Sequence, residues 1–91
     1  MKYYPETVVL FTEILERNFP GLKPQREAIK TDEPGHLLWM LKNIPSLNAK
    51  DDVGKRGRWL GHINGVLVAK KLLDNRQSKK AIKRDKKNGY E

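Results

Sequence analysis

The stretch GRWLGHING, residues 57–65, decides how the chain is read. Together with Val66, Leu67 and Val68 it carries apolar residues at helical spacing, with Leu60, Ile63 and Leu67 on one side. Gly57, Gly61 and Gly65 recur every four residues, and with Ala69 they fall on a single line of that helix. A glycine in a helix interior costs about 1 kcal/mol relative to alanine, so three of them give up about 2–3 kcal/mol of local preference. The line predicts a face without side chains that another backbone, an aromatic ring or a ligand can approach closely. Three occupants are open: the preceding helix with Trp39 and Leu38, the same helix of another subunit across a two-fold axis, or a ligand. The flanking Lys, Arg, His and Asn exclude the membrane-dimer reading of small residues at this spacing.

Outward from this helix the fold class is all-α, a small three-helix domain over residues 1–74 followed by a basic C-terminal helix or tail over 75–91. The third helix is expected to follow an Asn48 cap, with Asp51 and Asp52 near its start, and to run to about Leu73. Val53, Leu60, Ile63, Val66 and Leu67 form its apolar side and Trp59 borders it. Before it, TDEPGHLLWMLKNI predicts a helix capped by Thr31 or Asp32, with Pro34 in its first turn and Pro45 after its end. The first helix is read in YYPETVVLFTEILERNF. Pro5 suits its opening position, Leu10 with Ile14 and Phe11 with Leu15 pair on its inner side, and Pro20, Gly21 and Pro24 stop it. Residues 20–31 read as a connecting loop. After DNRQ, the segment SKKAIKRDKKNGYE is a short helix capped by Ser78 or a disordered arm.

Charge is segregated along this framework. Residues 1–54 hold seven Lys/Arg against eight Asp/Glu, whereas 55–91 hold twelve against three, so the whole net charge of +8 resides in the last 37 residues. Such asymmetry implies an anionic partner, an acidic protein surface or nucleic acid. A mean hydropathy of −0.76 and an apolar fraction of 37% leave one modest core for 91 residues, and chains of this kind often gain stability by forming a homo-oligomer. The absence of cysteine excludes disulfides and zinc-thiolate sites and fits a cytoplasmic setting. GVLVA is too short to span a membrane, and the N-terminus lacks the apolar run of a signal peptide.

Catalytic equipment is sparse. His36 and His62 stand without metal-type partners, Ser46 and Ser78 lie in no nucleophile motif, and no phosphate loop or dinucleotide fingerprint is present. No enzyme activity, metal or cofactor is expected. Binding chemistry is better represented. Lys55, Arg56 and Arg58 precede Trp59, and His62 follows one turn after Arg58; guanidinium groups grip phosphate and Trp offers a stacking face. Beyond them Arg76, Lys79, Lys80, Lys83, Arg84, Lys86 and Lys87 reach phosphates or carboxylates without reading a base sequence. A helix-turn-helix arrangement through IPSLN is opposed by the length of the third helix and by its glycine line.

The pattern HLLWMLKNI followed by KRGRWLGHINGVL resembles a group of small proteins of tailed bacteriophages, in which a His-Leu-x-Trp-Met helix precedes Lys-x-x-Arg-Trp-Leu-Gly-x-x-Gln-Gly. His36, Leu37, Trp39, Met40, Arg58, Trp59, Leu60, Gly61 and Gly65 match, and Asn64 stands at the Gln position. The resemblance covers residues 36–68 and implies a phage origin rather than a mechanism. It leads to the expectation of an interaction protein acting in the host cytoplasm, which inhibits or redirects a host factor in takeover or counter-defence. Direct nucleic-acid binding, with a role in transcription, is the second expectation. The third comes from an Arg-Trp-Leu segment shared with helical phage proteins that sequester cyclic nucleotides. It is an oligomeric sponge in which Arg58, Trp59 and His62 line a pocket between subunits.

Overall fold

The structure, a computed structural model, describes residues 4–30, 32–47 and 54–88. They form four helices: α1 (Pro5–Asn18), α2 (Pro34–Asn43), α3 (Lys55–Ala69) and α4 (Asn75–Lys87), with a 310 turn at Ile44–Ser46. There is no strand among the described residues. The all-α expectation therefore holds, with four helices instead of three and a helix-or-tail. Phe11, Ile14 and Leu15 of α1 meet Leu37, Leu38, Met40 and Leu41 of α2 and Leu60, Ile63 and Leu67 of α3 in one core, closed by Ile44 and Leu73. The stripes that produce this packing are the i, i+3, i+4 apolar positions of each helix. Glu13, Glu16 and Arg17 lie on the exposed side of α1.

Several ends differ from the sequence expectations, each for a local reason. At α2 the cap is Glu33, extended at ψ 134° and making no side-chain cap bond; Asp32 lies outside the helix and Thr31 outside the described residues. The Asn48 cap and Asp51–Asp52 start expected for α3 also lie outside the described residues, where Val53 falls too. The described helix begins after Gly54, whose φ of +82° is the left-handed conformation that glycine adopts without a side-chain penalty. α3 stops at Ala69, not near Leu73. Leu72 donates to the Leu67 carbonyl at 3.0 Å and Lys71 to that of Val68 at 3.0 Å, with Lys71 left-handed at φ 61°. This is the paired 6→1 and 5→2 closure of a Schellman end, built with lysine where glycine is usual. The turn sends Leu72 and Leu73 back toward the core and frees Asp74 to open the next helix.

α4 is a docked helix. Asp74 caps it by accepting from the Arg76 N–H at 2.9 Å, while Gln77 Oε1 accepts from the Asp74 N–H at 3.3 Å, a reciprocal capping box. Ser78, the expected cap, is instead buried in the first turn, where its hydroxyl donates to the Asn75 carbonyl at 2.9 Å. Ser78, Ala81 and Asp85 are the buried residues of α4.

The Asp85 carboxylate ties this helix to the opposite end of the chain. Tyr4 supplies no side-chain cap to α1 and Pro5 has no N–H, so the first free donors of α1 are Glu6 and Thr7. Asp85 Oδ1 accepts from the Glu6 N–H at 3.0 Å. Its Oδ2 accepts from the Thr7 N–H at 2.9 Å and from the Thr7 hydroxyl at 2.6 Å. Both Asp85 and Thr7 are fully buried. A carboxylate at a helix N-terminus is favoured by the dipole, and charge-assisted hydrogen bonds contribute about 1.5–3 kcal/mol each. Beside it Arg84 Nε lies 3.2 Å from Glu6 Oε2, but both groups are well exposed and the pair adds little.

The glycine line does not hold α2. Gly57, Gly61 and Gly65 are all exposed, and a methyl group on any of them would meet no atom within 4 Å among the described residues. The expectation that Trp39 and Leu38 fill this furrow is overturned: α2 packs on the Leu60–Ile63–Leu67 side, and Leu38 is buried in the core. The glycine that packing does require is Gly35. A methyl there would sit 3.0 Å from the Lys23 carbonyl and 3.0 Å from Gln25 Oε1, because the loop after α1 crosses the start of α2. The Gln25 N–H donates to the Gly35 carbonyl at 2.9 Å and fixes that crossing.

Asp85→Ala strands the Thr7 hydroxyl and two helix N–H groups, so chemical denaturation should show a loss of about 3 kcal/mol, a large part of the stability of a small domain. Gly35→Ala should destabilise by about 1–2 kcal/mol through overpacking, whereas Gly61→Ala should stabilise by up to about 1 kcal/mol through helix preference alone. A destabilised Gly61→Ala monomer would show that the furrow is occupied after all.

Candidate functional site

The basic cluster at the start of α3 is divided by the helix itself. Arg56 and Arg58 are two residues apart and so point roughly 160° from each other around the axis. Arg58 is exposed and lies over the start of the helix, with Nη1 3.3 Å from where a side chain on Gly54 would begin. Arg56 is 7% exposed, on the same side as Leu60 and Ile63, and its Nη1 is shut off from solvent without a hydrogen-bond partner among the described residues. The Lys55–Arg56–Arg58 trio does not form one grip.

Lys55 is half-buried and lies across Trp59, its Nζ 5.2 Å from the ring centroid. This is an i, i+4 cation–π contact. Trp59 in turn packs at 5.9 Å and 41° against Trp39 of α2, which stacks at 5.7 Å and 14° on His36. His36 Nδ1 lies 3.3 Å from the Gln25 carbonyl oxygen. Three rings from two helices thus form one half-buried row with an ammonium at its end. Sequence reading placed Trp59 in the binding set and left His36 and Trp39 out. Their i, i+3 spacing at the start of a short helix was the available signal. Neighbours occupy the Trp59 ring on both helices, so the row joins α2 to α3 more than it offers an open stacking face. His62, at i+3 from Trp59 and so about 60° round α3 from it, is half-buried beside Gly61, Gly65, Ala69, Lys70 and Asp32 in a depression of about 400 Å³.

α4 gathers charge most sharply. Arg76, Lys79, Lys80, Lys83, Arg84, Lys86 and Lys87 are all exposed. The single acidic residue among 75–88 is Asp85, and it is buried against α1. The outward surface of α4 is consequently cationic with no interspersed carboxylate of its own, and among the described residues Arg84 alone reaches an acidic partner, Glu6 at the α1 edge. Lysine ammonium groups on such a face attract carboxylates or phosphates as point charges and confer no base discrimination. Among the described residues no group of His, Asp and Glu could hold a metal ion, and no helix is long and apolar enough to cross a membrane.

A buried guanidinium with one nitrogen lacking a partner among the described residues is costly, and replacing such a group with an apolar side chain of similar length is often neutral or favourable. Arg56→Met should therefore leave binding to any anionic target unchanged and raise stability by about 1 kcal/mol in denaturation, whereas removal of α4 cations should weaken binding. Comparison of the chain with protein-family models, with curated proteins and with solved structures finds no match.

Proposed function

We propose that this is a non-catalytic interaction protein, phage-encoded and active in the host cytoplasm, that binds an acidic surface of a host protein and so inhibits or redirects it. The observation that carries this reading is the exposed face of α4. Seven cations point outward while the helix's one carboxylate is turned into the fold. A solubilising helix needs only mixed charge, and unlike charges interspersed on its surface would serve that role. A face of one sign fixed on a docked helix instead accelerates encounter with an oppositely charged surface and orients the complex. The phage origin rests on the resemblance across residues 36–68.

The burial of Arg56 favours a protein target over phosphate recognition by the α3 cluster. The occupied Trp59 ring likewise favours it over a nucleotide pocket built from Arg58, Trp59 and His62.

Pull-down from bacterial lysate with the full chain, with and without nuclease, tests the reading. A single protein should be recovered in both conditions, and Lys79→Glu with Lys83→Glu should reduce its affinity at least about tenfold while circular dichroism stays unchanged. Recovery abolished by nuclease, with a steep fall in affinity as salt rises, would assign the cationic face to nucleic acid instead.

A further inference from the structure

We infer that the partner is engaged through the cleft between α3 and α4, and that the element seated there is a helical segment with small residues on one side and carboxylates beside them. This rests on the reading of an acidic protein target. The cleft has a volume of about 200 Å³, and its floor is the exposed backbone at Gly57 and Gly61. Leu60 and Tyr4 wall one part of it, and Ile82 and Lys86 of α4 wall the other. Asn64 also lines it, with its side-chain oxygen turned away from solvent and without a hydrogen bond among the described residues. The lining is therefore largely apolar, with a cationic rim.

The register of α4 sets that rim. Lys79, Ile82 and Lys86 follow at i, i+3, i+7 and so share the flank that faces α3, with Lys83 one step outward. A partner helix lying over Gly57 and Gly61 would approach closely, since no side chain stands between the backbones, and its carboxylates would fall beside Lys79, Lys83 and Lys86.

Charge and size select this occupant. A second copy of the chain would set the same three lysines against one another. A cleft of this volume is smaller than typical small-molecule sites, which run from about 300 Å³ upward, but it accepts a few side chains. Tyr4, Leu60 and Ile82 would meet apolar groups rather than phosphates.

Fluorescence anisotropy with three labelled probes provides the test: a helical alanine–glutamate peptide with alanines along one side, a non-helical glutamate–glycine peptide of equal charge, and a DNA duplex. The helical peptide should bind at least about tenfold more tightly than the non-helical one. Gly61→Leu should erase that advantage while leaving the weaker, charge-driven binding, and Lys83→Glu with Lys86→Glu should weaken both peptides. Gly57→Leu provides the same test if Gly61→Leu does not fold. Equal binding of the two peptides to the native chain would overturn the cleft while leaving the cationic-face reading intact. Tighter binding of the duplex than of either peptide would overturn both. A dimer seen in sedimentation that Gly61→Leu dissociates would give the cleft to a second copy.

Discussion

The carboxylate of Asp85 against the first turn of α1 is the contact on which the remaining architecture depends. It joins residues 78 and 79 positions apart in sequence and satisfies donors that neither Tyr4 nor Pro5 can serve. Without it α4 would have only Ser78 and Ala81 fully buried and a half-buried Ile82, little apolar area for a thirteen-residue helix. A helix of that length is marginal in isolation. Polar anchoring thus does for α4 what apolar stripes do for the other three helices. It also closes the chain, placing the C-terminal helix on the N-terminal one.

The same contact organises the charge. Residues 75–88 contain one acid among many bases, and the fold uses that acid internally. What faces solvent is then uniformly cationic. Had Asp85 been on the outer surface, it would have neutralised its lysine neighbours at i−2 and i+1 in part and broken the face in two. Stability and surface charge are in this way linked through one side chain, because the group that docks the helix is also the one withheld from its exposed surface.

Much of this architecture is written legibly in the chain, and the failures have identifiable causes. The apolar stripes of α1, α2 and α3 predict Phe11, Leu37, Leu41, Ile63 and Leu67 in the core, where they lie. The end of α3 escaped because the left-handed position is Lys71, so the usual glycine signal is missing. The docking of α4 escaped because its inward face is Ser78, Ala81 and Asp85, a stripe that hydrophobic periodicity alone does not register. The glycine line was legible as a bare face but not as an exposed one. Periodicity says that Gly57, Gly61 and Gly65 align, whereas the identity of whatever covers them is tertiary information. Gly35 shows the converse, a lone glycine in PGH that a crossing backbone makes indispensable. In the candidate site, the solvent-facing lysines of α4 were readable from composition. The separation of Arg56 from Arg58 follows from helical geometry once the helix's buried side is known.

Native-state hydrogen exchange tests the central contact most directly. If Asp85 unites the two ends of the chain, the amide of Thr7 and the interior amides of α4 around Ala81 and Ile82 should open together, with a common free energy close to that of global unfolding. Rapid exchange throughout α4, at the rate of an isolated basic peptide while the α1 core amides remain protected, would contradict the account.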